Sequence, residues 1–190
     1  MSNIKTCIFS RGACAIPDPD TDTVIVTGGR FSYVLVSIYN EEGWIRNLKG
    51  LNKKRKFHGC TSFVTGGEKV NIVPFMRCLI YLNSFIKKLL VAGGSGGRNG
   101  NVEDTTEIYS YNTKEWRESG KLPNTMYEAQ ISNINNRVFL FCNYNERSSE
   151  LFEYDIATES WSTVGFLNKS RVNHRVTPIK FSDYSAWCTF

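Results

Sequence analysis

Two short segments share one polar signature. Leu51-Asn52-Lys53-Lys54-Arg55 is followed by His58, and Leu167-Asn168-Lys169-Ser170-Arg171 by His174, so each reads Leu-Asn-Lys-x-Arg-x-x-His. An arginine offers a planar fork of donors suited to carboxylates and carbonyls, and a histidine can serve as base or metal ligand. The chain has only 2 histidines, and both fill the same place in a repeated motif, which points to a repeated structural role. A copper or zinc centre needs several converging nitrogen and sulfur ligands. The 6 cysteines, Cys7, Cys14, Cys60, Cys78, Cys142 and Cys188, include no CxxC pair. They read as small buried side chains with free thiols, which suits a reducing compartment. No GxSxG, HExxH or P-loop pattern occurs. The run Gly93-Gly94-Ser95-Gly96-Gly97-Arg98-Asn99-Gly100 lacks the Gly-Lys-Ser/Thr ending of a phosphate cradle and reads as a hairpin loop. The expectation is therefore a binding protein, not an enzyme, with no catalytic residue, metal or cofactor.

Charge narrows the partners further. The net charge is +5 over 190 residues, and the cations are scattered except for Lys53-Lys54-Arg55-Lys56. That run reads as a solvated turn, and nucleic acid would require a larger basic face with elements to read bases. The most apolar stretch, residues 70–90, is interrupted by Pro74, Arg77, Asn83, Lys87 and Lys88, so no membrane span is expected. Residues 1–10 do not read as a signal peptide. A cytoplasmic location follows, or an extracellular one if sequence precedes Met1.

Those motifs belong to a longer repeat. Apolar runs end in Gly28-Gly29 and Gly93-Gly94, while a third, Val138-Phe139-Leu140-Phe141, ends in Cys142-Asn143. After each run comes a Tyr-Trp pair: Tyr39 with Trp44, Tyr111 with Trp116, and Tyr154 with Trp161. An arginine slot then holds Arg11, Arg55, Met126 and Arg171, at steps of 44, 71 and 45 residues. A period near 45 suits a four-stranded unit of about 40–50 residues. Within the first copy, Ala13 to Ile16, Thr23 to Thr27, Val34 to Tyr39 and a strand opening at Trp44 alternate with turns rich in Pro, Asp, Asn and Gly. The long middle step reflects an insert at 71–88, whose apolar residues have no place in the repeat. It reads as non-native sequence, such as a translated intron, in preference to a functional loop.

Residues 11–181 resemble the kelch repeat family, on Gly28-Gly29, Tyr39, Trp44, Leu51, Arg55 and His58, and on their counterparts in the later copies. The resemblance implies an all-β, incomplete β-propeller of about three four-stranded antiparallel blades plus part of a fourth. The units would be 11–50, 55–122 with the insert, 126–167, and a partial one from 171, flanked by terminal segments 1–10 and 182–190. It implies structural roles for the glycine pairs and for the aromatic pairs, which would pack between blades. It also implies an interaction module that takes a protein or peptide through loops 30–34 and 95–103 and the turns holding Arg55 and Arg171. Arg30 and Arg98 in those loops, with Arg55 and Arg171, are the candidate partner-binding residues. Three blades cannot close a ring, so self-association that covers the open edges is also expected. The alternative is an enzyme or sugar-binding fragment of the galactose oxidase or sialic-acid epimerase type.

Overall fold

A computed structural model describes residues 11–18, 21–30, 32–66, 86–96, 100–141, 149–170 and 176. Among these there is no helix, and 12 strands form three four-stranded antiparallel sheets. The first sheet contains β1 (Cys14–Asp18), β2 (Thr23–Thr27), β3 (Val36–Asn40) and β4 (Gly43–Asn47). The second contains β5 (Gly59–Thr65), β6 (Ile86–Ala92), β7 (Thr106–Ser110) and β8 (Glu115–Ser119). The third contains β9 (Gln130–Ile134), β10 (Arg137–Phe141), β11 (Glu150–Asp155) and β12 (Ser160–Phe166). Each sheet is a meander in chain order. The β-branched and aromatic content of these segments fits half-buried pleats. Pro17 is tolerated within β1 because that strand lies at a sheet edge, where no ladder bond is required of its nitrogen.

Side chains alternate between two apolar interfaces. Ile16, Ile25 and Ile38 of the first sheet meet Leu89, Val91, Tyr109 and Trp116 of the second. From the opposite face of the second sheet, Phe63, Leu90, Ala92 and Ile108 meet Val138, Leu140, Phe152, Tyr154 and Trp161 of the third. β5 lies beside both β1 and β9, so the first strands of the sheets gather together.

The glycine pairs make the joint from one sheet to the next. The Gly29 amide donates to the Arg55 carbonyl at 2.9 Å, and the Gly94 amide to the Met126 carbonyl at 2.7 Å. At Gly28 φ is +58°, and a Cβ there would stand 2.5 Å from the Arg55 oxygen; at Gly94 φ is +90°, and a Cβ would stand 2.7 Å from the Lys56 oxygen. Both the backbone region and the close approach exclude a side chain.

At the second joint register, the arginine slot is an interior feature. Arg55 is wholly buried and pairs through Nε with Glu107 Oε1 at 2.8 Å. Its remaining donors reach the carbonyls of Gly93 and Thr105 and the Thr105 hydroxyl. Glu107 also accepts from the amides of Asn52 at 2.7 Å and Lys53 at 3.3 Å. Every charge in this cluster is therefore met by hydrogen bonds, the condition under which a buried pair is tolerated. The next register solves the same problem with apolar side chains. Met126 stands in the Arg55 slot and Phe152 in the Glu107 slot, both buried in one cluster. Pro123 stands where Asn52 was and brings no amide that would need an acceptor.

Several expectations are corrected. Arg55 is not a surface residue and cannot meet a partner. The cross-strand partner of Trp116 is Tyr109, not Tyr111. The turn between Tyr39 and Trp44 is two residues shorter than its counterparts, so counting back five from Trp116 lands in the turn. Tyr111 instead packs edge-on against Tyr109 at 5.3 Å. Trp44 does not sit between sheets: it is 51% exposed, on the face of the first sheet turned away from the second. The segment Ile86-Lys87-Lys88 is not part of an insert but opens β6, paired to Thr65, Val64 and Phe63. The rest of that segment, and the partial fourth unit apart from Val176, lie outside the described residues.

Cys14 and Cys60 are not free thiols. They form a disulfide, with Cα atoms 6.0 Å apart and a sequence separation of 46. The bond ties β1 to β5. Nothing in their spacing marks them; the adjacency of the two strands does.

Two predictions follow from these joints. Arg55→Met alone strands the Glu107 carboxylate and is expected to lower unfolding free energy by about 3–5 kcal/mol. The triple variant Arg55→Met/Glu107→Phe/Asn52→Pro, which copies the third sheet, is expected to recover most of that loss in urea titrations. Reducing the disulfide, or Cys60→Ser, is expected to lower stability by about 2–4 kcal/mol, given the length of the loop it closes.

Candidate functional site

The first strands do more than gather. Where they begin, they enclose a cleft of about 300 Å³. Arg11, Gly12 and Ala13 line it from the first repeat, Phe57 and His58 from the second, and Glu128, Ala129 and Gln130 from the third. These are equivalent places: Ala13, Phe57 and Glu128 each stand two residues past the arginine slot, and His58 and Ala129 stand three past it. A volume of this size lies at the lower end for a ligand site.

Backbone bonds run from repeat to repeat around the cleft. The Phe57 amide donates to the Gly12 carbonyl at 2.7 Å, and the Glu128 amide to the Phe57 carbonyl at 2.8 Å. Phe57 and Glu128 both hold left-handed backbone, with φ of +55° and +59°. This conformation is uncommon for residues with a Cβ and persists only where the surroundings enforce it. Tyr127 supports the Phe57 ring, with centroids 4.9 Å apart. The cleft thus presents a cation at Arg11, a carboxylate at Glu128, an amide at Gln130 and an aromatic ring at Phe57.

His58 forms part of the wall and is buried. Its Nε2 shares a 2.8 Å hydrogen bond with the Thr27 hydroxyl. Its Nδ1 has no hydrogen-bond partner among the described residues. Burial, reinforced by the nearby Arg55 charge, pushes its pKa down to about 3, so the imidazole is neutral across the physiological range. Neutral and locked to Thr27, it helps hold the second repeat against the first.

Among the four candidate partner-binding residues, Arg30 is exposed, and its amide donates to the Arg11 carbonyl at 2.9 Å, which puts it next to the cleft. Arg55 is interior. Arg98 and Arg171 lie outside the described residues, as does His174. Arg11 reads from the sequence only as the first occupant of the arginine slot, and Phe57, Glu128 and Gln130 are not singled out by type. The signal of these three is positional, since they follow the arginine slot in their repeats. Among the described residues, no group of three or more His, Cys, Asp or Glu side chains is placed to hold a metal ion, and no helix is long and apolar enough to cross a membrane.

The lowered pKa of His58 makes a signed prediction. The unfolded chain takes up a proton below about pH 6.5, whereas native His58 resists it until about pH 3. The stability contribution of the neutral form is complete above that window and is lost as pH falls through it, with a slope approaching ~1.4 kcal/mol per pH unit. His58→Gln is expected to show a shallower fall in stability between about pH 6 and about pH 4, measured by urea unfolding at each pH.

No family model and no curated protein matches the chain. Among solved structures, it is similar to one described as the structure of YjhT, with a TM-score of 0.60 and 16% sequence identity over 84% of this chain. The match takes in 52% of that protein, so the chain spans about half its length. What the two share is their fold.

Proposed function

We propose that the three sheets are blades of a kelch-type β-propeller, and that the chain is a non-catalytic interaction module. Its ligand is a protein or peptide segment seated at the cleft where the repeats converge. The observation that carries this reading is the composition of the cleft from the same register positions of all three repeats. A ligand placed there touches every sheet at once, on backbone already fixed by the bonds between repeats. Preorganised contacts of this kind favour binding because little ordering remains to be done. The exposed cation at Arg11, with Arg30 beside it, suits a segment bearing a carboxylate. Glu128 and Phe57 add a place for a neighbouring donor and an apolar side chain. The Cys14–Cys60 disulfide favours a compartment oxidising enough to keep that bond over the cytoplasm.

Peptide selection by display on the purified chain, followed by titration of the selected peptides, tests the reading. Arg11→Glu is expected to weaken binding roughly tenfold or more, as loss of a charge-assisted contact implies. Arg30→Ala is expected to weaken it less, and Arg137→Ala, on the far face of the third sheet, to leave it unchanged. Peptides that bind equally well to Arg11→Glu would place the ligand elsewhere.

A further inference from the structure

The motif Leu-Asn-Lys-x-Arg-x-x-His occurs twice, and its asparagine stands in two different situations. In all three repeats the turn after the fourth strand is pinned by a leucine amide. Leu51 donates to the Val34 carbonyl at 2.9 Å, Leu122 to Asp104 at 2.7 Å and Leu167 to Ser149 at 2.6 Å. After Leu51, Asn52 is committed to the joint. Its backbone amide donates to Glu107 Oε2 at 2.7 Å, and its side-chain Nδ2 to the Trp116 carbonyl at 3.0 Å. After Leu167 the same residue type is exposed, and so are Lys169 and Ser170.

The two copies also differ two residues on, where Lys54 of the first is replaced by Ser170 of the second. That change creates Asn168-Lys169-Ser170, the acceptor triplet for an N-linked oligosaccharide, which is used on surface loops of secreted proteins. No other asparagine in the chain has Ser or Thr at that spacing. The Cys14–Cys60 disulfide is an independent pointer to the same route. Such bonds persist in the lumen of the endoplasmic reticulum and outside the cell, and secreted chains receive their oligosaccharides in that lumen.

We propose that Asn168 is a glycosylation site. The donor class is an oligosaccharide joined through C1 of its terminal N-acetylglucosamine to a polyisoprenyl diphosphate. Nδ2 of Asn168 bonds to C1, and the C1–O bond to the diphosphate breaks with its electron pair leaving on that oxygen. One Nδ2 proton passes to a base of the transferase, and nothing is oxidised or reduced. The product is a bulky, hydrated group on an exposed turn. At the counterpart turn the same direction from the asparagine is filled by the second sheet, so a glycosylated Asn168 is excluded from a joint of the Asn52 kind. The inference rests on the reading of an oxidising compartment and is independent of the ligand cleft.

Peptide mapping by mass spectrometry tests it, on the chain recovered from its natural source and on the full chain secreted by cultured eukaryotic cells behind an added leader. In both, the peptide holding Asn168 is expected to carry an oligosaccharide that peptide N-glycosidase removes, converting the amide to a carboxylate. In the secreted chain, Asn168→Gln and Ser170→Ala are each expected to abolish the modification, and Ser170→Thr to keep it, with circular dichroism unchanged because all these positions are exposed. Alkylation of free thiols in the same samples reports Cys14 and Cys60 separately. An intact disulfide with Asn168 bare overturns the glycan alone, whereas free thiols with Asn168 bare overturn the compartment reading and the glycan with it. An oligosaccharide that survives Asn168→Gln overturns the assignment to this residue.

Discussion

The buried contact between Arg55 and Glu107 organises the middle of the molecule. A guanidinium and a carboxylate with no exposure are stable only if nearly every donor and acceptor is met. Meeting them fixes four pieces of chain at once: the turn from Leu51 to Arg55, the glycine pair at Gly93, the segment at Thr105, and β7. Once that turn is fixed, its outward carbonyl is placed to receive the Gly29 amide from the first sheet. The residues after it, Phe57 and His58, are delivered to the cleft. Fold and candidate site therefore share one support.

The comparison between the second and third sheets shows that the support is replaceable but only as a set. Met126, Phe152 and Pro123 take the places of Arg55, Glu107 and Asn52, and the backbone bonds of the joint persist: Gly94 still donates to Met126, and Met126 to the Glu103 carbonyl. An ion pair and an apolar pair both fill the slot, because what the joint requires is a filled interior and no unmet polar group. A half-converted set fails that condition.

The cleft shows a second consequence of repetition. Residues two past the arginine slot are chemically unrelated, Ala13, Phe57 and Glu128, yet the repeat brings them to one place. The position two past the slot varies in type and faces the cavity. The left-handed backbone at Phe57 and Glu128 is the local strain that this convergence imposes.

Sequence alone determined the period, the meander of four strands in each unit, and the glycine pairs at the joints. Those features rest on local signals: alternation of apolar residues, turn chemistry and glycine at positive φ. It also carried the apolar-aromatic character of Trp116 and Trp161. Tertiary structure alone decided which tyrosine faces Trp116, because turn length varies and only register reveals the pairing. It alone turned Arg55 inward, since a charge reads as surface until a buried carboxylate 52 residues later is brought against it. It alone joined Cys14 to Cys60 and left Trp44 uncovered. In each case the deciding quantity is which strand lies beside which, and that is set by packing between sheets, not by neighbours along the chain.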